Sequence, residues 1–250
     1  MAVLLTKTEI ENETIALSDW QIEAFQSFKK MIADEENTYP CVPGRQGFQS
    51  DQLRFSFISD PRLDIAGTEL AEILKQYGEI SRETGKYASL VLIFETPEDI
   101  KRTFDINEYE DLFWTLLSQV SLMDEKRWPD GISQDPSHHS WEFCFHGEPY
   151  FAFCATPAHT QRKSRFFTHF LMAFQPRWVF EHMNDQTLLG QNMKKIIRDR
   201  LEKYDESPPH PALKWYGQED NHEWMQYFLR DDETGPSKCP FHNMMRAGKK

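Results

Sequence analysis

Four ionisable or coordinating side chains crowd into TPAHTQRKSR at residues 156–165: His159, Arg162, Lys163 and Arg165. An imidazole can move a proton or bind a metal at neutral pH. A guanidinium can clamp a carboxylate with two parallel hydrogen bonds. A further arginine, Arg177, follows in FQPRW, and near the C-terminus Cys239 opens Cys-Pro-Phe. A soluble haem protein needs an axial ligand, cations for two propionates and a large aromatic pocket. His159 or Cys239 could supply the ligand, and Arg162, Arg165 or Arg177 the cations. A Cys-Pro dipeptide recurs at haem-thiolate sites, because proline stops the backbone wrapping the sulfur. The bland alternative makes the cations a solvated turn and His159 a loop histidine with satisfied hydrogen bonds. A zinc site is the weaker metal reading: His138, His139, Cys144 and His146 lie close in sequence, but no second ligand pair follows at recognisable spacing.

The elements that must hold these groups are strands. WEFCFH at 141–146 and YFAFCA at 150–155 are aromatic-rich runs parted by Gly147-Glu148-Pro149, the pattern of a tight hairpin. The second run is apolar on both faces, so the hairpin is expected near the middle of a sheet. A third apolar run, 170–174, precedes Arg177. Upstream, LRFSFI at 53–58 alternates as a half-buried strand and YASLVLIFE at 87–95 as a buried one. Helical spacing is carried by Ile22, Phe25, Phe28, Met31 and Ile32 behind a Ser18–Gln21 capping box. It recurs over 65–81, over Tyr109–Val120, and in Leu189, Met193, Ile196, Ile197 and Leu201, where the intervening lysines and arginines read as a wet face. Thr96-Pro97 signals a helix start, with threonine as cap. Residues 39–48, YPCVPGRQGF, read as irregular because prolines and glycines punctuate them. The segment after Tyr204, Ser207-Pro208-Pro209-His210-Pro211, reads as a linker or surface loop.

Strands gathered in one sheet with helices around it give a single α+β domain, its sheet mixed but mostly antiparallel. The domain is expected to span 1–250, with loose ends at 1–17 and 243–250. Aromatic residues are 14% of the 250, enough for a thick core or a flat apolar pocket. A formal net charge of −12 without a basic block argues against nucleic acid or an anionic membrane surface as partner. No apolar run reaches the ~20 residues of a membrane span. The N-terminus lacks the charged start of a secretory signal, and the four cysteines form no framework, so a reducing cytoplasm is expected. Phosphate-cradling and nucleophile-elbow motifs are absent.

The ordered set YPCxxG (39–44), TPAHxxRxSR (156–165), FQPRWVF (174–180), QYFLRDD (226–232) and CPF (239–241) resembles the YqcI/YcgG family. The resemblance covers residues 39–241. It implies kinship with haem-dependent N-hydroxylases of guanidine-bearing substrates, of the guanitoxin and cycloserine routes. Cys239-Pro240-Phe241 and Arg162 match that branch. The branch reads PASSR around 157–162 and FNxHxQFE over 174–181, which sets Arg177 at its histidine. Cys239 is therefore the first choice of haem-iron ligand and His159 the second, with Arg162, Arg165 and Arg177 toward the propionates. The resulting expectation is an oxygen-dependent N-hydroxylase of a small amino or guanidino compound, fed by an external electron donor. The alternatives are a haem-binding or haem-sensing protein without turnover, and a cofactor-free domain whose TPAHxxRxSR clamps a small anion.

Overall fold

The computed structural model describes residues 2–180, 188–215 and 218–241. Its spine is a six-stranded sheet in the order β1-β2-β3-β6-β5-β4. The strands are β1 (Leu5–Thr6), β2 (Leu53–Ile58), β3 (Ser89–Phe94), β4 (Phe143–Phe145), β5 (Glu148–Ala155) and β6 (Leu171–Pro176). Among these six strands β2 and β3 run parallel, and the other pairings are antiparallel. Seven α-helices are present among the described residues: α1 (Lys7–Glu11), α2 (Asp19–Ala33), α3 (Val42–Gln49), α4 (Asp64–Ile80), α5 (Glu98–Thr103), α6 (Ile106–Leu122) and α7 (Leu188–Asp205). This is the expected single α+β domain. No helix among the described residues is long and apolar enough to cross a membrane.

The strand β3, SLVLIF, is buried at all six positions because helices cover both faces of the sheet there. One face packs on α4 and α6 through Leu70, Leu74, Phe113 and Leu117. The opposite face packs on α2 and α3 through Phe25, Phe28 and Phe48, whose rings meet Phe55 edge-on. Such pairs are worth about 0.5–1.5 kcal/mol each beyond the area they bury. The strand β2 is likewise enclosed rather than half-buried.

Several expectations are corrected. The hairpin lies at one end of the sheet, not in its middle: three-residue β4 is the edge strand and only β5 is interior. Its turn is His146-Gly147, both with positive φ (53° and 80°), while Glu148 and Pro149 already belong to β5. That is the two-residue turn whose twist matches a hairpin, and glycine reaches it without strain. Residues 42–49 are helical despite their prolines and glycines. Pro43 sits in the first turn, where no amide bond is lost, and the Cys41 thiol caps the helix by accepting from Gly44 N at 3.3 Å. Gly47 is required by packing, since a Cβ there would lie 2.8 Å from the Tyr87 carbonyl oxygen.

The helix α5 begins one residue later than its sequence signal, with Pro97 as its cap. Thr96 instead accepts from Phe170 N and donates to the Phe94 carbonyl. Ile22 is exposed and drops out of the buried stripe of α2. The N-terminus is not a loose end throughout: Leu5–Thr6 pairs with β2, and Thr6 caps α1, whose Lys7 N and Thr8 hydroxyl donate to Asp51. The expected loose end at 243–250 and the side chain of Leu189 lie outside what is described.

Candidate functional site

Leaving β5, the chain folds into a turn whose ends are tied by Thr156 N to the Arg165 carbonyl and Phe167 N to the Thr156 carbonyl. His159 is 2% exposed within it. Its Nε2 lies 2.8 Å from the Leu229 carbonyl, and its Nδ1 lies 2.9 Å from the Thr156 hydroxyl. A carbonyl can only accept, so Nε2 carries the proton and Nδ1 accepts from the hydroxyl. Burial lowers the ring's pKa to about 4, which leaves it neutral at pH 7.

Arg165, 5% exposed, lies 4.2 Å from the centre of the Phe153 ring. Its guanidinium donates to the carbonyls of Cys154, Gln226 and Tyr227 at 3.0–3.2 Å. Burial lowers its pKa to about 10, still charged at neutral pH. Arg162 donates from Nε to the Arg230 carbonyl and from Nη1 to that of Pro208. The Asp231 carboxylate accepts from Arg162 N, Thr160 N and the Thr160 hydroxyl. Asp205, closing α7, accepts from Ser164 N and its hydroxyl. His159, Arg162 and Arg165 thus converge, but on backbone: together they grip residues 226–231.

The other two expected residues lie apart from that grip. Cys239 is 4% exposed in the main core with Phe241, whose ring meets Trp141 at 5.2 Å and Phe143 at 6.4 Å. The tail through Phe241 therefore folds back onto the domain. Arg177 pairs with the buried Glu142 carboxylate at 3.3 Å beside β4. As a haem site the five residues do not fit. A haem asks for an open ligand atom and uncommitted cations around a flat space. His159 has both nitrogens engaged, and Arg162 and Arg165 are spent on carbonyls. Cys239 is packed among aromatic rings, and Arg177 answers another carboxylate. The same engagement removes TPAHxxRxSR as an anion clamp. Of the residues weighed for zinc, His138 Nδ1 is engaged with Ser140 and the Cys144 thiol donates to the Glu142 carbonyl. Among the described residues no group of three or more His, Cys, Asp or Glu side chains could hold a metal ion.

Two of the cavities among the described residues border the sheet and the gripped segment. One, of about 160 Å³, is apolar and sits between the sheet and α2–α3, lined by Phe28, Ile32, Tyr39, Cys41, Phe151 and Phe153. Burial pushes the Cys41 thiol pKa up, so it lines the space as a neutral group. The second, of about 320 Å³, is lined by Glu110, Trp114, Trp224 and Phe228 together with residues 210–212, Lys214 and residues 233–236. Arg230 approaches Glu110 with two donors, Nε at 2.8 Å and Nη2 at 2.6 Å, and both fall on Oε2. Glu110 Oε1 and the indole nitrogens of Trp114 and Trp224 are buried without a hydrogen-bond partner. Desolvation raises the Glu110 pKa, while Arg230 and the nearby Trp114 nitrogen work against it.

Reading the sequence for ligands missed this second group. The signal was present: Glu110 sits inside the apolar stripe of α6, between Tyr109 and Phe113, where a carboxylate is costly to bury. QYFLRDD was recognised as a motif, yet its arginine had no role until its partner on α6 was placed beside it.

A model of the YqcI/YcgG family matches residues 28–242. The chain is 54% identical to YqcI of Bacillus subtilis (strain 168), across all of this chain and 98% of that one. It is 53% identical to YcgG of the same organism, across 95% and 94%. It is 30% identical to DcsA of Streptomyces lavendulae, named as a proposed N(omega)-hydroxy-L-arginine synthase, across 96% of this chain and 89% of that protein. No solved structure matches.

Proposed function

The chain belongs to the YqcI/YcgG family, and from that premise we propose that it is an oxygen-dependent N-hydroxylase of a small amino or guanidino compound. The observation that carries this is the end-to-end similarity to DcsA, whose name specifies hydroxylation of a guanidino nitrogen. The reaction converts an N–H of the substrate to N–OH with one atom of dioxygen. The other oxygen atom leaves as water, using two electrons and two protons from an external donor. Activating dioxygen in this way asks for a redox cofactor, and haem is the one we propose. Its ligands are to be sought beyond His159, Cys239 and the paired arginines, so no step is assigned to it.

The grip of His159, Arg162 and Arg165 on residues 226–231 sets Arg230 against Glu110 and brings Trp224 and Phe228 beside Trp114. It thereby builds a small, partly enclosed chamber of mixed aromatic and acidic character, in the size range of small-molecule sites.

The test is to purify the protein from haem-supplemented cells, record its absorption spectrum, and incubate it with arginine and other guanidines, dioxygen and a reductant. A Soret band and a product carrying one extra oxygen are expected. Folded protein that takes up no haem and yields no such product would overturn the proposal. Bound haem without turnover would favour the sensing alternative.

A further inference from the structure

We propose that the cavity beside Glu110 is a binding site for the cationic nitrogen of an amine or guanidine, with Glu110 as counter-ion and the side chains of Trp114, Trp224 and Phe228 as aromatic walls. Four observations converge on it. The Glu110 side chain is 5% exposed, so its charge is almost wholly removed from water. Arg230 places both of its donors on one carboxylate oxygen and leaves Oε1 buried outside hydrogen-bond geometry with any group, the nearby Trp114 nitrogen included. A buried acceptor in that condition carries a desolvation cost that an N–H group would relieve. Beside it lies about 320 Å³ of space, room for a group larger than water.

The walls select the kind of group. Trp114 and Trp224 meet edge to face at 6.3 Å, and Phe228 packs tilted on Phe113 at 6.0 Å. Indole faces attract cations, and most strongly where water is excluded. A planar guanidinium can lie along such a face while turning an N–H toward a carboxylate oxygen. The two indole nitrogens, also without partners, offer donors to an oxygen elsewhere on the same ligand. The far side of the cavity is built from irregular chain, including Pro211, Gly235 and Pro236, so opening it breaks no helix or strand.

The choice of a guanidine rests on the N-hydroxylase reading, whereas the cavity itself does not. The experiment is calorimetric titration of the purified full chain with arginine, agmatine and citrulline, repeated on Glu110→Gln and Trp224→Phe, with tryptophan fluorescence recorded in parallel. Arginine and agmatine should bind, and citrulline, whose urea is neutral, at least tenfold more weakly. Glu110→Gln should cost the two cations tenfold or more and narrow their advantage over citrulline. Trp224→Phe keeps the ring wall and should keep most of the affinity, while reducing the ligand-induced fluorescence change.

Equal binding of citrulline and arginine would overturn the site. So would unchanged cation affinity in a folded Glu110→Gln protein, or an unchanged fluorescence response in Trp224→Phe. If Glu110→Gln fails to fold, the citrulline comparison and Trp224→Phe decide alone. Cation binding at Glu110 without hydroxylated product would sink the enzyme proposal and spare the site. Turnover with unchanged KM in Glu110→Gln would do the reverse.

Discussion

Among the described residues that bury charge, the turn at residues 156–165 and the floor of the cavity at Glu110 are finished differently. In the turn, among the described residues, His159, Arg162 and Arg165 leave no buried polar atom unpaired. Their partners are carbonyls of a neighbouring segment, groups that are present in every state of the folded protein. At Glu110 one oxygen is doubly served, while the other has no hydrogen-bond partner, and neither have the indole nitrogens of Trp114 and Trp224 that line the same cavity. A saturated buried charge behaves as a brace, because any ligand would first have to displace an existing bond. A buried charge with spare capacity lowers its energy by taking one up. Richness in arginine is therefore a poor guide to where this protein binds, and incomplete pairing is a better one.

The largest effect should come from breaking the brace. Arg165→Met leaves the carbonyls of Cys154, Gln226 and Tyr227 without their shared donor, and should cost about 4 kcal/mol in urea unfolding. A cost below about 1 kcal/mol would mean that the turn does not hold the 226–231 segment.

Acid should loosen the same grip. His159 titrates near 4 in the folded protein, against an ordinary 6.5, so the unfolded chain takes up its proton first. Its contribution is complete above pH 6.5 and is lost as pH falls from about 6.5 toward 4, on the order of 2–3 kcal/mol by the end. His169, which burial also holds near 4, shares this window. His210, which burial also lowers, adds a third contribution, so His159→Gln should remove about a third of the stability loss measured by denaturation across that range. An unchanged pH profile would show that His159 stays exposed to protons.

On the cavity side the expectation is milder. Trp224→Phe deletes a nitrogen that has no partner, so only ring volume is lost and the cost should be about 1 kcal/mol. A much larger loss would show that this nitrogen is bonded after all, and would erase the contrast between the two regions. Smallest of all is Lys163→Ala. Its pair with Glu206 at 2.7 Å is solvent-exposed and should be worth under about 0.5 kcal/mol, although it belongs to the same turn as Arg165.

Much of the scaffold was legible because it is written in local periodicity. The strand at 53–58, the helices α4 and α6, and the hairpin before His159 follow from alternation and helical spacing that any short window contains. Local signals failed where a distant neighbour set the outcome. Residues 42–49 are helical because Pro43 falls in the first turn and because Tyr87 and Leu53 demand a glycine at 47. The hairpin is at the sheet's end because β6 pairs with both β3 and β5 and leaves β4 nothing beyond it.

The same division runs through the candidate site. Sequence by itself determined the family, the α+β class and the presence of reactive residue types, since these depend on order and composition. Which of those residues are available for chemistry was decided only by the tertiary structure. His159 and Leu229 are 70 positions apart, and Glu110 and Arg230 are 120 apart. Whether a side chain is spent or free depends on partners brought from such distances, and no pattern within one segment records them.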